Sequence, residues 1–358
     1  MLYFIFTTGR CNLQCKYCGG SFPNYLVPWN VKYSVNDLVK FIEGDEKPII
    51  AFYGGEPLLN PKFIVEVMER LPRAKYVIQT NGVLINNLEE KIWRRFNTVL
   101  LSIDGRRRIT DYYRGNGIYD KVLEAAKYLK NIGFSGDLIA RMTVSEESDI
   151  YLEVKHLLDL NLFDHIHWQL DVIWSDRWLN FERWCKEKYI PNLKKLILKW
   201  MENAERGKVL GLVPFIGILK HILRDSRIGS PPCGAGRDSI SILTDGRVIA
   251  CPIAVDVDWA RLGDIWRNKW YEMRDRIHIG EPCKNCKYFR LCGGRCLYTY
   301  KERLWGDEGF RKICKLNIEL FDSLIKLKER ILDLIGSRIL SWSDFDYPKF
   351  NNTTEIIP

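Results

Sequence analysis

Three cysteines follow the first apolar run of the chain. Cys11, Cys15 and Cys18 are spaced C-x3-C-x2-C, with Tyr17 before the third. Three thiolates on one short loop can hold three irons of a [4Fe–4S] cube and leave the fourth iron without a protein ligand; closed electron-transfer clusters use four cysteines. Structural zinc takes four ligands, usually as two close pairs. The next cysteine is Cys185 and the first histidine His156, so zinc fits this group poorly.

A second group runs Cys233, Cys251, Cys283, Cys286, Cys292, Cys296 and Cys314, and Cys185 lies alone between the groups. Eleven cysteines is an odd count, and no basic, apolar secretory segment opens the chain. A disulfide framework is therefore not expected, which leaves metal or redox chemistry. For C-x2-C-x5-C-x3-C, taken alone, a zinc ribbon is the alternative to iron–sulfur ligation. Cys185, among Glu182, Arg183, Trp184 and Lys186, reads as a structural thiol.

These residues need elements to hold them. Strand-like runs at 2–7, 49–53, 76–80, 98–103, 137–144 and 164–172 alternate with helical patterns at 34–43, 61–71, 87–95, 117–132 and 149–160. Six β-α units in series predict a parallel sheet, open or partly closed into a barrel. Ligands then bind at the carboxyl ends of the strands. A long helical pattern covers 178–204, and a connector runs from Gly207 to Pro232. Past Cys233 the chain is rich in Gly and Cys, with a hairpin over Ser239–Leu243 and Arg247–Ala250 around Thr244-Asp245-Gly246. An amphipathic helix is predicted over 316–335, and Tyr347 to Pro358 reads as a frayed tail.

The ordered set of motifs resembles the radical S-adenosylmethionine (SAM) enzymes. Cys11-Asn12-Leu13-Gln14-Cys15-Lys16-Tyr17-Cys18 matches their C-x3-C-x2-aromatic-C signature. Gly54-Gly55-Glu56-Pro57 at the second strand end looks like the motif that holds the methionine amino group. Asn81, in Gln79-Thr80-Asn81-Gly82, ends the third strand. Ser102 and Asp104 end the fourth, where relatives contact ribose. Arg141 on the fifth is placed like the residue that meets the cofactor carboxylate, with a surface ion pair as its alternative. Glycines let backbone approach closely, and a carboxylate suits an ammonium group. The resemblance implies an α/β fold, a partial (β/α)6 TIM-like barrel with a small Cys-rich C-terminal domain of hairpin, helix and loops.

The second group resembles the seven-cysteine SPASM extension, Gly246 included, so the likeness covers residues 1–320. It implies two auxiliary iron–sulfur clusters, expected as [4Fe–4S]. Cys283, Cys286, Cys292 and Cys314 would hold the distal one. Cys233, Cys251 and Cys296 would hold the inner one, with three thiolates and an open iron or a non-cysteine ligand, because residues 217–232 lack the eighth cysteine of some relatives. The implied domains are a barrel at 1–205, a connector at 206–232, a SPASM domain at 233–320 and a helix and tail at 321–358.

The resemblance further implies reductive cleavage of SAM and hydrogen-atom abstraction from a peptide or protein, with tetrapyrrole side-chain chemistry or cofactor maturation as the alternative. A non-catalytic zinc or electron-carrier protein is the reading outside that class. A low-potential donor such as ferredoxin or flavodoxin is expected. With the first cysteine at position 11, no peptide-recognition domain is expected ahead of the barrel. Sulfatase-maturing relatives carry an Asp base directly after the equivalent of Cys251, where this chain has Pro252; Asp256 and Asp258 are nearby acids.

Composition sets the bounds. The 358 residues are 46% hydrophobic, which excludes wholesale disorder. The net charge of +9 suits acidic ligands, but no nucleic-acid-binding signature accompanies it. The runs Arg94-Arg95 and Arg106-Arg107-Arg108 could meet an acidic peptide or form a solvated face. Gln14, Gln79 and Gln169 are the only glutamines, a usage associated with growth at high temperature. No run approaches the roughly 18 apolar residues of a membrane helix, and a cytoplasmic location is expected.

Overall fold

The computed structural model describes residues 1–173, 178–348 and 358. The chain forms two compact units. The first comprises Met1–Ile103, Thr110–Ile139 and Cys233–His278, and the second Asp104–Ile109, Ala140–Pro232 and Ile279–Pro358.

Six strands begin the sheet: β1 (Leu2–Thr8), β2 (Ile49–Gly54), β3 (Lys75–Thr80), β4 (Thr98–Ser102), β5 (Asp137–Val144) and β6 (His165–Leu170). Three more follow: β7 (Ser239–Ile242), β8 (Arg247–Ile249) and β9 (Arg261–Asp264). In the first unit the order is β5-β4-β3-β2-β1-β7-β8-β9, β5 entering by its first residues. Asp137 N–H donates to Asn97 O there at 2.9 Å. In the second unit the rest of β5 neighbours β6, and Asp171 N–H donates to Val144 O at 2.9 Å. Pairings β1·β2, β2·β3 and β3·β4 are parallel, in registers such as Phe4↔Ala51, Ala51↔Val77 and Val77↔Thr98. The fold is α/β, the β-α repeat of a partial (β/α)6 barrel followed by a Cys-rich C-terminal region.

The strands read as near-continuous apolar runs because parallel sheets are covered on both faces. Every residue of β1 and β4 is buried. Phe52, Tyr76, Phe96 and Trp93 pack ring on ring over one face of β2 and β3. Connecting helices start where the sequence places caps. Ser34 forms a capping box with Asp37 ahead of Val35–Ile42, and Asp149 accepts from Tyr151 N–H and Leu152 N–H ahead of Ile150–Asp159.

The expected hairpin is present as β7 and β8, and β7 pairs parallel with β1. Other elements differ from expectation. Val213–Leu223 is a helix where a connector was expected, and the helix Arg107–Arg114 and β9 were not foreseen. The 87–95 pattern contracts to a 3-10 turn at Ile85–Asn87 and a helix at Glu90–Trp93. The 178–204 pattern is helical over Phe181–Trp184 and Ile190–Ala204, joined by a π turn at Cys185–Tyr189. Pro191 lacks the N–H that a regular turn there would use. The 316–335 helix is two, Gly306–Ile325 and Lys328–Gly336, so Cys314 is helical. Of the expected tail, 349–357 lie outside the described residues. Among the described residues no helix is long and apolar enough to cross a membrane.

Candidate functional site

In the first unit, four successive strand ends carry the motif residues. The loop after β1 presents Cys11, Cys15 and Cys18. It is shaped by its own hydrogen bonds: Cys11 N–H to Ser21 Oγ at 2.9 Å, Leu13 N–H to Cys11 Sγ at 3.5 Å, and Gly19 N–H to Cys15 O at 3.0 Å. Gly20 adopts φ +91°, and a Cβ there would stand 2.5 Å from Leu13 O. Cys15 is buried, Cys18 exposed and Cys11 between them. Burial pushes the Cys11 thiol up to about 11. Tyr17 is buried against Tyr113, ring centroids 5.8 Å apart, with the Arg114 guanidinium 5.3 Å from its ring.

Gly54 and Gly55 let β2 close on this loop. A Cβ on Gly54 would lie 2.3 Å from Thr8 O, and one on Gly55 2.0 Å from Arg10 O. Gly55 N–H donates to Thr8 O at 3.1 Å and Glu56 N–H to Arg10 O at 2.7 Å. What these glycines approach in the protein is therefore the backbone leading into the cysteine loop. Glu56 follows with 1% exposure. Its Oε1 accepts from Leu58 N–H at 3.1 Å and Thr80 Oγ1 at 2.6 Å, and its Oε2 from Asn81 N–H at 2.8 Å. Burial raises its carboxyl to about 7 against the pull of those three donors. A carboxylate offers roughly four acceptor positions. Among the described residues one is left, which fits an ammonium group.

Asn81 is buried, and its Nδ2 donates to Asn12 Oδ1 at 2.8 Å, tying the end of β3 to the cysteine loop. Ser102 is buried at the end of β4. Asp104 and Arg141 belong to the second unit. Asp104 is fully buried, its Oδ1 accepting from Thr143 N–H at 2.8 Å, while Arg141 Nη1 donates to Met142 O at 2.9 Å.

Both basic runs lie largely on exposed surface, Arg94, Arg95, Arg107 and Arg108 among them, but three of their arginines also reach buried or backbone acceptors. Arg106 grips the buried Glu153 through Nε and Nη2, the latter at 2.7 Å, and its N–H donates to the same carboxylate at 2.7 Å. Arg94 Nε donates to Ile132 O and Arg95 Nη2 to Met68 O. These three arginines hold loops and helix ends, a use that the charge pattern alone did not reveal.

The second cysteine group divides between the units. Cys233 and Cys251 lie in the first, flanking β7 and β8. In the second, Cys283, Cys286, Cys292, Cys296 and Cys314 line one cavity of about 230 Å³ with Arg295, Thr299 and Phe321. Burial raises the Cys283 thiol to about 11 and the Cys292 thiol to about 12, and Cys314 pushes both further up. The Arg295 charge pulls Cys292 and Cys314 the other way. Among the described residues no three His, Cys, Asp or Glu side chains converge closely enough for a single metal ion. The donor set fits a cluster-sized sulfide group. Arg295 and Thr299 were missed by sequence reasoning; the signal was a lone cation inside Cys292-x3-Cys296.

Residues 5–156 match the model of the Radical SAM superfamily. The chain is 27% identical over 351 residues to the "Cysteine-type anaerobic sulfatase-maturating enzyme" of Clostridium perfringens, covering 87% of this chain and 92% of that one. A structure of native anSMEcpe with bound AdoMet and the Cp18Cys peptide superposes with a TM-score of 0.71 at 22% identity, over 94% of this chain and 99% of that one. Streptococcus suis SuiB bound to its precursor peptide SuiA gives a TM-score of 0.58 at 16% identity, over 84% and 73%. At those identities the two structures speak for the fold.

Proposed function

From the premise that this chain is a radical SAM enzyme, with that domain at residues 5–156, we propose that it modifies a residue of a peptide or protein substrate. The observation that carries this reading is end-to-end similarity to a sulfatase-maturating enzyme, 87% of one chain against 92% of the other, where a shared domain alone would match the first half. In this reading Cys11, Cys15 and Cys18 hold the SAM-binding [4Fe–4S] cluster. Cys283, Cys286, Cys292 and Cys314 hold a distal auxiliary cluster, and Cys233, Cys251 and Cys296 an inner one. When bound, these groups supply one-electron cleavage of SAM and a carbon radical able to remove a substrate hydrogen atom.

The protein's own residues do the rest. Glu56 accepts the SAM ammonium on its remaining acceptor position, and its ionised form is favoured once that charge arrives. Gly54 and Gly55 keep the cysteine loop close enough to share the site with Glu56. Asn81 fixes the loop through Asn12. Ser102 and Asp104 supply polar oxygens for hydroxyls, Arg141 a cation for a carboxylate, and Tyr17 an apolar wall.

Pro252 follows Cys251 and carries no proton to exchange. The proposed reaction therefore lacks a base at that position and differs there from sulfatase-type oxidation. A low-potential ferredoxin or flavodoxin is the proposed electron source.

The test is anaerobic reconstitution with iron and sulfide, reduction, and assay for 5′-deoxyadenosine. The parent is expected to hold about ten to twelve irons and to cleave SAM. The Cys11→Ala, Cys15→Ala, Cys18→Ala variant should keep about eight irons and form no product. Zinc in place of iron, or no cleavage under strong reductant, sinks the reading. A tetrapyrrole bound with a spectral change and turned over would move the substrate class away from peptides.

A further inference from the structure

The cavity of the second unit contains a guanidinium whose donors are only partly met among the described residues. Arg295 is 6% exposed. Its Nε donates at 2.8 Å to an oxygen of Pro358, the last residue of the chain and so a carboxylate oxygen, while Nη1 and Nη2 have no hydrogen-bond partner among the described residues. Thr299, 7% exposed, lines the same cavity, and its Oγ1 is likewise unpartnered there. A guanidinium stays charged at every accessible pH. A buried charge with idle N–H groups is costly unless something anionic meets it.

The thiol-rich surroundings suit an anionic iron–sulfur group at the two idle Nη atoms. The cavity wall also carries five thiols, the Asn317 amide, the Tyr288 hydroxyl, which donates to Asp322 Oδ1 at 2.7 Å, and a second guanidinium on the exposed Arg311. Asn317 already donates to Ile313 O at 3.0 Å. The backbone holds Arg295 in place at some cost. It sits at φ +55°, a region non-glycine residues avoid, directly after Gly293 and Gly294 at φ +58° and +83°. That turn lies between Cys292 and Cys296, which line the cavity together with Arg295.

We propose that Arg295, assisted by Thr299, donates hydrogen bonds to the sulfurs of the distal auxiliary cluster and holds its reduction potential up. This rests on the cluster reading given under Proposed function. Reduction adds one electron from a low-potential donor and one negative charge to the cluster, with no bond made or broken. A fixed guanidinium stabilises the more negative, reduced form more than the oxidised one. Arg295 is a positioning and tuning residue and touches no substrate in this account.

The test uses the full chain with Cys11→Ala, Cys15→Ala and Cys18→Ala, so that only auxiliary clusters remain, titrated electrochemically with EPR detection. Arg295→Gln should lower the reduced-to-oxidised ratio of one cluster at fixed potential about tenfold, a shift of about 59 mV for one electron. Arg295→Lys, which keeps the charge, should recover most of it. Thr299→Val should move the same cluster less, in the same direction. A ratio unchanged within twofold in Arg295→Gln, at unchanged iron content, overturns the proposal and leaves Arg295 as an anchor for Pro358.

If Arg295→Gln loses its iron, pulsed EPR on protein labelled with 15N-arginine decides. Nitrogen coupling to the reduced distal cluster that persists in Arg311→Lys supports the proposal, and its absence overturns it. A background protein that binds no iron at all would instead overturn the cluster reading, and the inference with it.

Discussion

At Glu56 three donors meet one carboxylate, yet burial still sets its proton affinity. Without an ammonium partner, the folded chain holds this carboxyl protonated up to about pH 7, against an ordinary value of 4.5. The raised group favours the fold below its unfolded value, and that contribution is lost as pH rises through about 7. A ligand ammonium reverses the preference, because it binds the ionised form. SAM affinity of the reconstituted protein should therefore rise from pH 5.5 to 7, approaching tenfold per pH unit, and level off above. Glu56→Gln should remove that slope and weaken binding by about 1.5–3 kcal/mol, the range for a hydrogen bond to a charged group. Anaerobic calorimetry at four pH values reads both effects, and a slope that survives in Glu56→Gln would assign it to another group. Gly55 argues differently, by contact. Gly55→Ala puts a methyl 2.0 Å from Arg10 O, and backbone cannot step aside as a flexible side chain can. Overpacking of this kind costs about 1–3 kcal/mol. The strain falls on the cysteine loop, so about four irons should be missing from Gly55→Ala while β-sheet circular dichroism persists.

Elements were legible in proportion to how far local pattern governed them. Strands β1 to β6 announced themselves as apolar runs, because that signal is written in neighbouring residues. Val213–Leu223 was read as a connector because it is apolar all round and shows no polar face to give it period. Arg107–Arg114 opens on a charge run, and Gly306–Ile325 on Gly306 and Gly309, both poor starts by propensity. At the site, motif residues could be placed at strand ends, but the tie from Arg106 to Glu153 spans 47 positions and leaves no local trace. That tie carries a prediction of its own. Glu153 has a fully buried side chain, and Gly105, at φ +115°, brings the loop against it. Arg106→Met removes the guanidinium from the carboxylate and keeps the backbone donor at position 106, and should cost about 2 kcal/mol, less than a fully buried pair because Arg106 itself is partly exposed. Urea titration measures it. A change under about 0.5 kcal/mol, the usual size for surface substitutions, would return Arg106 to the solvated-face reading.

At the scale of the chain, the two units depend on iron to different degrees. In the first, β1 to β4 are joined by continuous parallel ladders and buried aromatic packing that exist without any metal. In the second, the stretch bearing Cys283 to Cys296 is built from turns and two short helices, Phe289–Cys292 and Leu297–Glu302, around a cavity of about 230 Å³. A space lined by thiols and unfilled by side chains forfeits the contacts that a close-packed interior would make. Whatever fills it binds the folded form in preference to the unfolded one, and so becomes part of that region's stability. Stripping iron with a chelator under reducing conditions should therefore raise amide hydrogen exchange over 279–305 tenfold or more. The amides of β1 to β4 should keep their protection. Equal loosening of both regions would mean that the clusters hold the whole chain together. Unchanged protection over 279–305 would mean that the cavity stands without them, and the argument from its packing would fail.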